Sequence, residues 1–207
     1  MKPSKRIFDL ICALILFLLS LPFWIIIAVI IKIDSKGPVL FKQFRVGRRG
    51  KLFTIYKFRT MYQEAPAYFT KPLSSMEHRI TRIGRMIRDL GVDELPQLIN
   101  VIKGDMSLVG PRPEMLFIVA NYDALAKRRL ELTPGITGLW QIAAPKNDPI
   151  HHHLKYDLYY LKYQSFRLDF WILMKTLGIL LGSRILFRSE NRLPLFLKER
   201  LEFWSNS

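Results

Sequence analysis

Leu10-Ile-Cys-Ala-Leu-Ile-Leu-Phe-Leu-Leu-Ser-Leu-Pro-Phe-Trp-Ile-Ile-Ile-Ala-Val-Ile-Ile31 is a run of 22 residues without a charge, and its reading decides what the rest of the chain must be built around. At ~1.5 Å per residue a helix of this length covers a hydrocarbon core. Ser20-Leu21-Pro22 divides it into two apolar arms, Leu10 to Leu19 and Phe23 to Ile31, each too short to span alone. Pro22 cannot donate the hydrogen bond that a continuous helix needs, and the Ser20 hydroxyl can bond locally to backbone groups freed at the break. Lys2, Lys5 and Arg6 precede the run, while Lys32, Lys36, Lys42, Arg45, Arg48, Arg49 and Lys51 follow it. Both ends therefore look cytoplasmic by the positive-inside tendency. The predicted element is a kinked, re-entrant membrane helix broken at Ser20 and Pro22, with a straight span as the alternative. A cleaved signal peptide fits less well, because no small-residue cleavage site follows and Lys32 to Pro38 is basic.

The composition of the whole chain is as unusual as the run itself. Half of the 207 residues are hydrophobic, yet the formal charge is +15, a pairing that soluble domains seldom show. Such a charge calls for polyanionic partners: nucleic acid, the anionic face of a bilayer, or phosphorylated small substrates. The single cysteine, Cys12, lies in the apolar run and excludes an intrachain disulfide. His151-His152-His153 is the nearest approach to a metal motif, but consecutive side chains diverge, which favours a polar loop.

Val39 to Met61 alternates apolar and basic residues around Gly47-Arg-Arg-Gly50 and predicts a small β-hairpin. Lys57 and Arg59 stand two apart on its second strand, so they are expected to share a face and reach one anion together, or else to form a solvated charge row. Glu64 to Met76 has no periodicity and reads as a loop. Thr81 to Leu90 spaces Arg82, Arg85 and Arg88 along one side of a predicted helix, and Leu95 to Lys103 gives a second short helix stopped at Gly104. In Gly110-Pro-Arg-Pro-Glu114 the prolines limit where Arg112 can point, which suits a phosphate ligand or a structural ion pair. Pro134-Gly-Ile-Thr-Gly138 is a turn that can offer backbone amides to phosphate, without any nucleotide fingerprint. Phe170 to Phe187 and Leu193 to Trp204 mix apolar residues with cations and aromatics and predict interfacial amphipathic helices, with core helices the competing reading. The expected class is α+β, mostly helical. The expected organisation is a re-entrant helix and its flanks over 1–36 and a catalytic domain over 37–207, as one functional unit.

Against this cationic background Asp93 and Glu94 stand out in Arg88-Asp-Leu-Gly-Val-Asp-Glu-Leu-Pro-Gln-Leu98. Two adjacent carboxylates beside arginines suit phosphoryl transfer, one attacking phosphorus or holding a divalent ion while cations bind phosphate oxygens. Adjacent acids before Leu-Pro also suit an ordinary helix start. A function from another class, a non-catalytic cationic membrane adaptor for anionic lipid or nucleic acid, stays open at this point.

The ordered set Lys5-Arg-Ile-Phe-Asp9, the broken apolar helix, Gly37-Pro-Val-Leu-Phe-Lys-Gln43, Tyr56-Lys-Phe-Arg-Thr-Met61, Thr81-Arg-Ile-Gly-Arg85, Asp93-Glu-Leu-Pro-Gln-Leu98, Lys103-Gly-Asp-Met-Ser107, Gly110-Pro-Arg-Pro-Glu114 and Pro134-Gly-Ile-Thr-Gly-Leu139 resembles the bacterial sugar transferases, the monotopic phosphoglycosyl transferases, in their minimal short form. The resemblance implies an enzyme at the cytoplasmic face of a bacterial inner membrane. It would move a sugar phosphate from a nucleotide diphosphate sugar, usually a UDP-sugar, to polyprenyl phosphate and release UMP. It implies Asp93 as nucleophile, Mg²⁺ at the same place, Glu94 as a tuning group, and Arg88 and Arg112 as phosphate ligands, with Lys57 and Arg59 as further candidates. The implied partners are the donor, the lipid acceptor and membrane lipid, with no nucleic acid; a homo-oligomer is compatible. Two positions depart from the family pattern. Ile142-Ala-Ala-Pro-Lys-Asn147 replaces the usual Val-Asn-Gly-Arg, so that Lys146 offers a point charge where a planar fork is usual. Leu90-Gly-Val92 precedes the dyad where Ser or Thr with Leu is usual.

Overall fold

A computed structural model describes residues 2–65, 78–143 and 154–180. The predicted helix Leu193–Trp204, the His151–His153 loop, Lys146 and most of the predicted loop after Glu64 lie outside the described residues, as does the end of the Phe170–Phe187 segment.

The apolar run forms one helix, α1, from Pro3 to Asp34, 32 residues long with Pro22 inside it. Its helical range runs through Ser20 and Pro22, where the sequence predicts a kink. Ser20 Oγ donates to the Phe17 carbonyl at 2.9 Å and accepts from Trp24 Nε1 at 3.0 Å, so a tryptophan from the next turn holds the serine just before the proline. Only 6% of the most apolar window of α1 is buried. Ile7, Ile11, Ile15, Leu18, Leu19, Phe23, Ile25, Ile26 and Ile33 are all exposed, a surface no soluble core helix presents. This marks α1 as a membrane element.

One stripe of α1 does touch the rest of the chain. Lys5 Nζ pairs with Asp169 at 2.8 Å, Arg6 donates to the carbonyls of Val101 and Ile102, and Ser107 Oγ donates to the buried Asp9 at 2.6 Å. Ala13 enters the main core, Phe17 packs against Trp24, and Trp24 in turn packs edge-on against Phe58 at 5.3 Å between ring centres. Ile31 closes a smaller cluster with Phe58 and Ile87. Residues 6, 9, 13, 17, 24, 27 and 31 follow the three-and-four spacing of one helix face.

The predicted hairpin, β1 Leu40–Val46 paired antiparallel with β2 Leu52–Phe58, meets this stripe at its open end through Phe58. Arg49 and Gly50 both take positive φ in the turn between them. Helix α2, Arg82–Asp89, starts at a Thr81 cap whose side chain accepts from the Gly84 amide. A 3-10 turn over Val92–Glu94 follows, then α3, Gln97–Lys103, which stops at Gly104 in the left-handed conformation. Asn100, fully buried on α3, accepts from Tyr56 N at 3.2 Å and donates to Thr54 O at 2.7 Å, bonding α3 to the open edge of β2.

Strand β3, Ser107–Val109, pairs parallel with β4, Gly135–Thr137. Between them lie the short helices α4, Leu116–Val119, and α5, Ala124–Lys127. After them come α6, Leu139–Ala143, α7, Leu154–Tyr163, and α8, Phe166–Leu180. Val101, Met106, Leu139, Tyr160 and Ile172 form the centre of the main core. Helix α8 turns Leu168, Asp169 and Ile172 inward and leaves Phe166, Phe170, Met174, Leu177 and Leu180 exposed.

Candidate active site

The dyad lies on the 3-10 turn between α2 and α3, and Gly91 makes that turn possible. It adopts φ 69°, and a β-carbon there would also stand 2.7 Å from Leu180. The glycine that departs from the family pattern is thus the residue that lets the chain reverse ahead of Asp93.

Three cations converge on the two carboxylates from three separate elements. Lys57, on β2, lies 2.6 Å from Glu94 Oε1, and Arg112 reaches the same oxygen at 3.3 Å. Arg88, in the last turn of α2, is close enough for its charge to be felt at Asp93. Neither oxygen of Asp93 is hydrogen-bonded among the described residues. Two adjacent acids therefore sit in unlike environments. Burial raises the Glu94 carboxyl, but Lys57 and Arg112 more than reverse this and hold it down at about 2. Burial pushes the Asp93 carboxyl up, the neighbouring Glu94 charge pushes the same way, and Lys57, Arg88 and Arg112 oppose them. Lys57 is lowered by its own burial against the pull of Glu94. Glu94 is thus a fixed anion that pairs with two cations and leaves a net positive charge, while Asp93 keeps an unbonded carboxylate beside them among the described residues.

The backbone around Arg112 is held from three sides. Gly135 N donates to Pro111 O at 2.9 Å, Val46 N donates to Glu114 O at 2.9 Å, and Arg129 Nη2 donates to Arg112 O at 3.0 Å. Arg129 is itself buried, 2.8 Å from Asp157 and bonded to the Tyr122 hydroxyl. The Gly135 amide, in the turn that could offer amides to phosphate, is thus used to fix the Pro111–Pro113 segment.

Arg59 is placed elsewhere. It donates to the carbonyls of Ser35 and Lys36 and to the Ser35 hydroxyl, closing the C-terminal end of α1. It does not join Lys57 at the dyad, because β2 ends at Phe58 and the alternation of faces ends with it. Arg82 and Arg85 point to solvent, so only Arg88 of that row reaches the site. Sequence reasoning did not single out Arg129, Asn100 or Thr60, whose hydroxyl accepts from Arg88 Nε at 2.6 Å. Asn100 had a signal, a polar amide in the apolar stretch Leu98 to Ile102; Arg129, in a row of basic residues, had none.

The profile of a family described as bacterial sugar transferase matches residues 1–183 of the chain. The chain belongs to the bacterial sugar transferases. It is similar to the UDP-N-acetylgalactosamine-undecaprenyl-phosphate N-acetylgalactosaminephosphotransferase of Aeromonas hydrophila, 40% identical over 86% of this sugar transferase and 43% of the relative. The uncharacterized sugar transferase EpsL of Bacillus subtilis is 41% identical, over 86% of this chain and 88% of its own. The undecaprenyl-phosphate glucose phosphotransferase of Komagataeibacter xylinus is 39% identical, over 89% and 37%. This member therefore spans less than half the length of two of these relatives and most of the third.

Proposed function

We propose that the protein is a membrane phosphoglycosyl transferase that moves a sugar 1-phosphate from a UDP-sugar to polyprenyl phosphate. Undecaprenyl phosphate is the acceptor named for two of the relatives above. The observation that carries this reading is the division of labour in the dyad: Glu94 takes Lys57 and Arg112, and Asp93 has no hydrogen bond or ion pair among the described residues. An Asp93 oxygen attacks the sugar-bearing phosphorus, the bond from that phosphorus to the bridging oxygen breaks, and UMP leaves with the electron pair. The phosphosugar is then carried as an acyl phosphate on Asp93. An oxygen of polyprenyl phosphate attacks the same phosphorus in turn, the bond from that phosphorus to the Asp93 oxygen breaks, and the carboxylate leaves with the electron pair. Arg88 and Arg112 bind the phosphate oxygens and offset repulsion between the anionic nucleophile and the diphosphate.

In this reading Mg²⁺ is held by Asp93 rather than by a cluster of acids. Among the described residues no group of three or more His, Cys, Asp or Glu is placed to hold a metal, and Glu94 Oε1 is already taken by cations. Asp93 would offer one oxygen, in keeping with an ion that binds through one or two carboxylates plus substrate phosphates. When bound it supplies neutralisation of phosphate charge.

The reaction would be the first membrane step of a surface-glycan or glycoconjugate pathway, at the cytoplasmic face of the bacterial inner membrane. Supporting this is the packing of α1 by both its ends against the body that holds the dyad, which suits a re-entrant helix lying near the lipid headgroups. The exposed stripe of α8 suits an interfacial helix. Asp93→Asn should abolish transfer of labelled sugar phosphate to polyprenyl phosphate with Mg²⁺ present. Turnover retained by that variant removes Asp93 as nucleophile. Lipid binding that falls with salt but ignores Asp93, Glu94 and Mg²⁺ would favour the adaptor instead.

A further inference from the structure

Thr60 follows β2 by two residues and is buried. Its carbonyl accepts the Thr81 amide at 3.1 Å, at the N-cap of α2, and its hydroxyl accepts Arg88 Nε at 2.6 Å, in the last turn of the same helix. One residue thus holds α2 at both ends. Gly84 allows it, since a β-carbon at that position would stand 2.1 Å from the Thr60 carbonyl oxygen.

The consequence falls on the guanidinium. Arginine carries five N–H donors in a planar fork whose Nε edge and terminal edge face different ways. With Nε fixed on Thr60, rotation of the fork is blocked and its terminal nitrogens point onward. Among the described residues neither terminal nitrogen has a hydrogen-bond partner, and Nη1 is buried. A charged donor edge left unpaired is costly, so the terminal edge of the fork is left for an anion. That place lies on the Asp93 side, because the end of α2 that carries Arg88 packs against the 3-10 turn that carries Asp93.

We propose that Thr60 is a positioning residue for the phosphate site: it takes Arg88 Nε so that the terminal nitrogens of that arginine face the anion beside Asp93. The assignment of that anion as the donor's diphosphate rests on the transferase reading; the assignment of Thr60 as the residue that aims Arg88 does not.

The test uses inorganic pyrophosphate as probe and the full chain in lipid nanodiscs, with affinity measured by calorimetry. Thr60→Val removes the acceptor and should weaken pyrophosphate about tenfold, while Thr60→Ser, which keeps it, should stay within about twofold of the unaltered protein. Added to Arg88→Ala, the Thr60→Val change should have no further effect, because a residue that acts only through Arg88 has nothing left to aim. Arg88→Lys keeps the charge but loses the fork, and it should weaken binding by a factor similar to Thr60→Val. Equal affinities for the unaltered and Thr60→Val proteins overturn the proposal. So does the same loss in the Arg88→Ala background, full affinity in Arg88→Lys, or no pyrophosphate binding by the unaltered protein. Release of UMP from UDP-sugars is followed in parallel. Pyrophosphate affinities as expected, with no release from any donor, would uphold Thr60 and sink the transferase reading.

Discussion

Glu94 is where the charge balance of the site can be tested by pH. Its folded pKa of about 2 lies below the ordinary value of 4.5. A carboxyl depressed by folding contributes stability that is present above pH 4.5 and lost as pH falls toward 2. The shift corresponds to about 3 kcal/mol by linkage, an order of magnitude only. Glu94→Gln should therefore lower stability at neutral pH and flatten its dependence between pH 4.5 and 2, read as melting temperature against pH. An unchanged slope in that window would show that Lys57 and Arg112 do not hold this carboxylate. The same variant should lower turnover by about a hundredfold, since a buried Lys57 without its partner no longer keeps its charge or place. The sequence made these residues visible for a simple reason: adjacent acids are conspicuous among 32 basic residues. It hid which acid is tied down, because Lys57 and Glu94 are 37 positions apart and no local spacing relates them.

At the scale of elements, residues 57–60 connect the membrane helix to the dyad one side chain at a time. Lys57 meets Glu94, Phe58 packs on Trp24 of α1, Arg59 closes the end of α1, and Thr60 holds Arg88. The hairpin itself was legible from alternation and from Gly47 to Gly50. The divergence of Lys57 and Arg59 was not, because periodicity describes a strand and says nothing of the residues just past its end. Arg59→Lys tests the division. It keeps the charge but gives up a fork that bonds Ser35 and Lys36 together, and should cost about 1–2 kcal/mol of stability. The KM for the sugar donor should stay within about twofold, since Arg59 faces away from the dyad. Chemical denaturation and donor kinetics check the two halves, and a large rise in donor KM would return Arg59 to the phosphate site.

For the molecule as a whole, the decisive relation is between α1 and the body that carries the site. A helix of 32 residues is about 48 Å long at ~1.5 Å per residue, longer than the ~30 Å core of a bilayer. Crossing would thus be feasible by length alone, and the apolar run left both a span and a re-entrant path open. The tertiary contacts weigh against crossing. Arg6 at one end caps α3, Arg59 caps the other end at Ser35, and Ala13, Phe17, Trp24 and Ile31 pack between them. These contacts occur near both ends of α1 and at positions between them. A transmembrane path would carry the charged Lys5–Asp169 pair and the Arg59 cap to opposite faces, with the hairpin and its lysines drawn into hydrocarbon, at a cost of several kcal/mol per charged group. The stripe from Phe166 to Leu180 on α8 is a second exposed apolar surface, which the proposed interfacial placement would bury in lipid. With Cys12 replaced by alanine, single cysteines introduced at Lys2 and at Lys36 should both react with an impermeant maleimide from the side that also exposes Arg49, in sealed vesicles of known orientation. Labelling of Lys2 and Lys36 positions from opposite sides would require α1 to leave the body it packs against, and the re-entrant reading would fall with it.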